Sequence, residues 1–294
     1  MYHKQDPRHV LKVDNRIPVN DIKEVHSVEF NDISPTINKR GSKSWLVRGE
    51  KFYLEYSSVV NEEEFEKSNA KDEYILLLPD KNTNCTIFHN NEVKYVEGYS
   101  IAIIQKGYSR IKFSNAGTVI LLQSYNDMKG PIINESNYII NDKNVSDFSR
   151  LQPPEDIQGI QVYSLDIPKK EGRFGRIFRS TNFTISCLYP WEGPRDTKTL
   201  SPHSHYDFEQ CSIAVDGRFT HHFRYPWVSD KTKWKEDEHL DLMSPSVTFI
   251  PPGVTHTSEA TGSGNNEIID IFSPPRDDFA LEEGWVINED KYFK

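Results

Sequence analysis

Cysteine is scarce in this chain, and long apolar runs are absent. The three cysteines among 294 residues, Cys85, Cys187 and Cys211, are widely spaced and odd in number. That excludes a disulfide framework and fits a reducing compartment. No segment approaches the roughly 20 apolar residues a membrane helix requires. The opening Met1-Tyr2-His3-Lys4 lacks the apolar stretch of a secretory signal, so the expected location is the cytoplasm, with no membrane partner. Basic charge is also in short supply: 35 Lys and Arg stand against 44 Asp and Glu, a net charge of -9. A nucleic-acid partner is excluded on that ground, because phosphate binding needs a basic patch.

What is present suits a folded β protein. Hydrophobic residues make up 36% and aromatics 12%, enough to build a core. Seventeen prolines and fifteen glycines break the chain into short segments. Runs such as Tyr74–Leu78, Val119–Gln123, Ser212–Val215, Phe219–Tyr225 and Ser246–Ile250 read as short strands, the signature of an all-β sandwich or barrel. One helix is predicted over Asn61–Ala70, where Asn61 can cap and three glutamates occupy the first turn. A shorter helical turn is expected over Arg276–Glu283. The polar stretch Asp127–Gln158 reads as a linker, dividing the chain into domains 1–150 and 151–294.

The densest chemistry lies in the second half. His203-Ser204-His205-Tyr206-Asp207-Phe208-Glu209 is followed by Pro251-Pro252-Gly253-Val254-Thr255-His256. Three imidazoles and a carboxylate suit a divalent transition metal. Strand alternation puts His203 and His205 on one face, and Glu209 joins them if the strand stays regular. The same alternation after Gly217 turns Phe219, His221 and Phe223 inward and His222 outward. His221 is then either a general acid or base near neutrality or a hydrogen-bonded core histidine. Trp227 and Trp234 sit in a polar insertion, Tyr225–His239, as a lid or sugar-stacking platform or as rim packing. Arg276 is placed either to clamp a substrate carboxylate or to pair with Asp277 or Asp278.

These two motifs resemble those of the cupins: HxH followed by Glu and then Gly (His203, His205, Glu209, Gly217), and PxGxxH (Pro251, Gly253, His256). The resemblance covers roughly residues 155–280. It implies two cupin-type antiparallel β-barrels in tandem, the double-stranded β-helix or jelly-roll-like fold of a bicupin. It also implies one divalent metal (Fe, Mn, Ni or Zn) held by His203, His205, Glu209 and His256. Residues 40–125 echo the pattern with Gln105 in place of a proline and Arg110 in place of the histidine, so the first barrel is expected to lack ligands. The pattern departs at Thr197–Pro202, which lacks the usual glycine, and at Ala260, where an asparagine is usual. The closing segment Ile269–Phe279 is similar to that of cupins acting on unsaturated uronic sugars. The resemblance thus implies a metal-dependent enzyme for isomerisation, ring opening or elimination of a sugar acid or other small polar substrate. The alternatives are an Fe(II) dioxygenase, a Mn-dependent decarboxylase, or a non-catalytic binding bicupin. Exposed strand edges leave room for a homodimer.

Overall fold

The structure is a computed structural model that describes residues 4, 6–11, 21–127, 130–134, 141–147 and 157–292. Most of the expected linker, including the boundary at 150/151, lies outside the described residues. The chain forms two compact units that are not contiguous in sequence. One comprises Ile33–Ile139 and Gln152–Pro168; the other comprises Met1–Asp32, Ile140–Leu151 and Lys169–Lys294. Strand β1 (His26–Glu29) therefore belongs with the C-terminal unit, where it pairs antiparallel with β19. The segment after the linker returns to the N-terminal unit as β12 (Ile160–Ser164) and pairs with β9. Each unit thus borrows an edge strand from beyond the division that composition suggested. The apolar face of such a strand is buried only on a partner strand, and composition does not name the partner.

The N-terminal unit continues through β2 (Thr36–Ile37), β3 (Lys43–Arg48), β4 (Phe52–Val59), β5 (Glu64–Ala70) and β6 (Tyr74–Leu78). It then runs through β7 (Cys85–His89), β8 (Glu92–Val96), β9 (Ser100–Ile104), β10 (Gly107–Phe113) and β11 (Gly117–Ser124) to β12. Its sheets run β12-β9-β6-β11-β4-β3-β2 and β5-β10-β7-β8. Strands β6 and β9 are buried at every position and apolar but for Ser100, as central strands should be, whereas β7 alternates between buried and half-buried residues. The space between the sheets is filled by Leu76, Leu78, Ile87, Ile104, Phe113 and Leu121, among others. Within it the Tyr74 hydroxyl lies 2.7 Å from Ser109 Oγ. This barrel is a packed apolar core. Gln105 donates to Glu73, and Arg110 pairs with Glu64 and lies over Phe88.

The predicted helix over Asn61–Ala70 is instead a turn leading into β5, which pairs with β10. Asn61 accepts from the Ala116 N–H rather than capping a helix, and Glu62 has a positive φ of 59°. Of the acidic run that suggested a first helical turn, Glu62 and Glu63 lie in the turn and Glu64 opens the strand, whose Phe65 packs edge-on against Phe113. Tertiary pairing overrides local propensity here.

The C-terminal unit holds β1 and then β13 (Gly175–Arg179), β14 (Thr184–Leu188), β15 (Trp191–Glu192), β16 (Glu209–Asp216) and β17 (Arg218–Arg224). It ends with β18 (Glu238–Met243), β19 (Ser246–Ile250), β20 (Thr255–Ala260) and β21 (Asn265–Ser273). The larger sheet runs β1-β19-β16-β21-β14-β13, with β15 also on β21, and the smaller runs β18-β17-β20. Gly217 turns β16 into β17 at φ +85°, and a Cβ there would lie 2.3 Å from the Asn266 side chain. The helix expected over Arg276–Glu283 contracts to a 3-10 turn, Asp278–Leu281. No helix among the described residues is long and apolar enough to cross a membrane.

Phe113 is fully buried in the N-terminal core and packs against Phe65. Phe113→Ala should cost about 3–5 kcal/mol in chemical denaturation. A loss under about 1 kcal/mol would show that this barrel is not packed as described.

Candidate functional site

The site of the C-terminal unit is built on a backbone pairing. His203 donates its N–H to His256 O at 3.0 Å, and His256 donates back to His203 O at 2.8 Å, an isolated antiparallel bridge. Gly253, at φ +91°, turns the chain between β19 and β20 and donates its N–H to His205 O at 2.7 Å. The Pro-Pro-Gly turn and the HxH segment are therefore tied twice. The ring centroids of His203 and His256 lie 4.4 Å apart, and those of His205 and His256 lie 5.1 Å apart.

The hydrogen bonds of these rings set their tautomers. His203 Nδ1 is 3.0 Å from Ser201 O, and His256 Nδ1 is 3.0 Å from Val254 O. A backbone carbonyl can only accept, so each ring carries its proton on Nδ1 and presents an Nε2 lone pair. His205 is buried against Phe208, and neither of its nitrogens makes a well-formed hydrogen bond, although Phe208 and Gln210 lie near enough to favour its charged form somewhat. Burial holds all three rings neutral: His256 is pushed down to about 4, and His203 and His205 fall well below the usual histidine range. The charges of Arg8 and Arg276 act on His203 and His256 in the same direction. Neutral imidazoles whose second nitrogen is anchored to a carbonyl are what metal coordination needs. The orphaned nitrogens of buried His205 fit the same use.

Glu209 does not join them. Residues 204–208 form no regular strand, so the parity counted from His205 is lost before β16 begins at Glu209. Within β16 the register pairs Glu209 with Ser273, Gln210 with Phe272 and Ser212 with Asp270. Gln210 and Ser212 accordingly share the face of the imidazoles, and Glu209 lies on the opposite face with Cys211. Gln210 Oε1 is 3.0 Å from His256 Nε2, Gln210 Nε2 donates to Ser212 Oγ at 3.0 Å, and Ser212 donates to Asp270 Oδ1 at 2.5 Å. Asp270 is buried, and burial raises its carboxyl above the usual range despite the Ser212 bond. Among the described residues no group of three or more His, Cys, Asp or Glu side chains is placed to hold a metal ion. The sequence reading missed Gln210, Ser212 and Asp270 because a one-residue shift in parity separates them from the motif.

Arg8 was also missed, lying outside any motif. It makes a bidentate pair with Asp6, at 3.0 and 2.8 Å, and Asp6 accepts from Ser201, whose carbonyl holds His203. Burial pushes the Asp6 carboxyl up, but the Arg8 and Ser201 bonds outweigh it and bring it to about 2. Arg276 is buried over the rings of Phe279 and Phe272, at 3.7 and 4.7 Å, and its guanidinium forks onto Asp278 at 2.9 and 2.5 Å. The pairing with Asp278, one of the two alternatives for this arginine, is thus present, while Asp277 goes to Arg179.

Alternation along β17 turns Phe219, His221 and Phe223 inward. His221 stacks between those two rings and meets Ser258 Oγ at 2.8 Å. Burial, aided by His256, pushes it down to about 3, which removes it from acid–base work near neutrality. It is a core histidine with a satisfied partner. His222, on the other face, contacts His239 and Glu259, and His239 lies on β18 rather than in a loop. Trp227 and Trp234 stack on each other, with centroids 4.6 Å apart at 6°, and are 77% and 39% exposed. Neither packs into a core. The three cysteines are buried, and burial pushes Cys85 and Cys187 up to about 12, so they are not thiolate nucleophiles.

Two antiparallel barrels, one with an apolar interior and one lined by histidines, give the chain a tandem cupin-type fold. The particular structures it is similar to include AerE from Microcystis aeruginosa, at 10% identity and a TM-score of 0.55, covering 82% of this chain and 97% of that one. The oxalate decarboxylase of Lactobacillus farciminis, in a formate complex, matches at 12% identity and 0.60 over 88% of both chains. A variant of the Bacillus subtilis oxalate decarboxylase OxdC matches at 14% and 0.59, covering 91% and 87%. At these identities the likeness establishes the fold. No family model and no curated protein sequence matches the chain.

The neutral histidines give a pH dependence with a defined sign. Unfolded histidine titrates near 6.5, so below that pH the unfolded chain binds more protons than the native one. Stability of the metal-free protein should fall as pH drops from about 6.5 toward about 3 for His221. In urea denaturation between pH 7 and 4, His221→Asn should show a shallower dependence. An unchanged slope would mean that His221 titrates in the native state as it does in the unfolded chain.

Proposed function

We propose that this chain is a metal-dependent bicupin enzyme with one reaction centre, in the C-terminal unit, acting on a small anionic polar molecule such as a sugar acid. The observation that carries this reading is the group of three neutral imidazoles, His205 and His256 buried and His203 half-buried, with His205 offering nitrogens that no protein group satisfies. His203, His205 and His256 would hold a divalent cation. Bound there, it would supply Lewis acidity to a carbonyl or hydroxyl.

The chain's own residues contribute orientation and charge. Carbonyls of Ser201 and Val254 fix two of the rings. The buried guanidinium groups of Arg8 and Arg276 give the site a positive field that favours an anion, although Asp6 and Asp278 partly offset it. The stacked Trp227–Trp234 pair presents an exposed aromatic surface suited to a sugar ring, which is the support for the carbohydrate reading. The N-terminal barrel, filled by aliphatic and aromatic side chains, serves as scaffold.

A second reading, decarboxylation of a small dicarboxylate, draws on the similarity in fold to oxalate decarboxylases and on the same positive field. Product analysis separates the two: carbon dioxide release from oxalate supports the second, and conversion of unsaturated uronates or keto-sugars supports the first. Turnover that depends on oxygen uptake would overturn both in favour of a dioxygenase.

Protein purified without added metal should carry about one equivalent of divalent cation, and His203→Ala or His256→Ala should abolish it. Metal-free protein that still binds its ligand and acts in vivo would make the chain a binding module instead. Trp227→Ala should raise KM for a sugar acid several-fold with kcat and stability nearly unchanged, since that ring lies outside any core. No change in KM would remove the tryptophans from the site.

A further inference from the structure

We propose that the N-terminal unit, beyond its part as scaffold, carries a metal-free binding site for a small carboxylate, formed by Lys67, Tyr74, His89 and Ser109 at the end of its apolar core. The inference does not depend on whether the histidines of the other unit hold a cation.

Strand parity and register bring these four side chains together. On β7, Cys85, Ile87 and His89 face inward, and on β10, Ser109, Ile111 and Phe113 do so. Lys67 on β5 has the parity of Phe65, which packs against the core. Ile111 pairs across with Ile87 and with Phe65, so that row is apolar. The next row is polar: Ser109 pairs with His89 on one side and with Lys67 on the other. Tyr74, which opens β6 in the other sheet, places its hydroxyl 2.7 Å from Ser109 Oγ. The Lys67 ammonium lies 5.2 Å from the centroid of the Tyr74 ring and donates to Gln123 Oε1. The apolar packing therefore stops one row short of the end of these strands. Lys67 is half-buried, and Glu66 and Ser68 beside it are exposed, so the row meets solvent there.

The row offers donors, and one of them has no acceptor. Asn90 Nδ2 lies 3.1 Å from His89 Nε2, and an amide nitrogen only donates. The proton of the neutral His89 ring is then on Nδ1. His89 is 3% exposed, and its Nδ1 has no partner in the protein. A buried N–H without an acceptor is unfavourable, and a ligand that accepts removes the cost. Of the two hydroxyl protons on Tyr74 and Ser109, one serves the bond between them and the other is left for a ligand. Burial pushes the Tyr74 hydroxyl up, so it keeps its proton. An ammonium, an imidazole N–H and a hydroxyl in one row complement an acceptor-only anion, which is a carboxylate. Adjacent strands are about 4.8 Å apart, so Lys67 and His89 flank Ser109 across about 10 Å, a span that suits a carboxylate of a few carbon atoms.

The C-terminal unit places its histidines at the matching positions. There His256 on β20 pairs with Phe223 on β17 and bridges to His203, and Gln210 near the start of β16 touches it. In the N-terminal unit Ser109 on β10 pairs with His89 on β7 and with Lys67, and Tyr74 at the start of β6 touches it. Ser109 thus stands where the other barrel has His256, and Lys67 where it has His203. The positive charge that attracts an anion is here carried by the chain itself.

Nuclear magnetic resonance of the full chain, labelled with nitrogen-15 histidine and titrated with sodium acetate, tests the site. Sodium chloride at equal ionic strength is the control. The His89 Nδ1 resonance, assigned by its loss in His89→Phe, should move and saturate with acetate but not with chloride. That resonance reports on the N-terminal unit, so acetate taken up by the other unit leaves it in place. Lys67→Met should weaken acetate binding at least about ten-fold, the scale of one charge-assisted hydrogen bond. A His89 resonance unmoved by acetate, or moved as far by chloride, overturns the proposal, and so does wild-type affinity in Lys67→Met. Should Lys67→Met fail to fold, the titration of the unaltered protein decides alone.

Discussion

The site depends on one backbone interaction, the reciprocal pair of hydrogen bonds between His203 and His256. These residues come from segments far apart in the chain, and neither lies in a strand that the other extends. The pairing, reinforced by the Gly253 N–H on His205 O, brings the rings of His203 and His205 to 4.4 and 5.1 Å from that of His256 without a continuous β ladder. It also leaves the intervening residues 204–208 irregular. That irregularity has a chemical consequence, because it shifts the phase of β16 by one residue and turns Gln210 rather than Glu209 toward the histidines.

The two barrels show what a shared fold does and does not imply. In the N-terminal unit the inward positions are Leu76, Ile87, Ile104, Phe113 and their neighbours, and the interior closes on itself. In the C-terminal unit the inward positions include His256, His221, Gln210, Ser212 and Asp270. Burying so many polar groups is unfavourable unless each finds a partner. Most do: His221 with Ser258, Gln210 with Ser212, Ser212 with Asp270. His205 stands apart from this accounting, and a buried imidazole with two unsatisfied nitrogens in a native interior calls for a ligand.

Much of the architecture was legible in the amino-acid sequence. Short β runs broken by Gly and Pro gave the all-β class, and HxH with PxGxxH located the histidine site. Parity after Gly217 placed His221 inside. Other features were not legible. The acidic Asn61–Ala70 segment looks helical in isolation and is a strand because β10 pairs with it. The exchange of β1 and β12 between the units depends on partner strands that no local pattern names. Arg8 carries no motif, and it enters the site through Asp6 and Ser201.

The sequence by itself therefore determined which residue types were available and that three imidazoles would meet in the second half of the chain. This was possible because the spacing in HxH and the glycine of PxGxxH express local geometry. Only the tertiary structure decided which neighbour faces them, whether His221 titrates, and where the arginines lie. Those outcomes depend on strand phase after an irregular segment, on burial, and on contacts between distant residues.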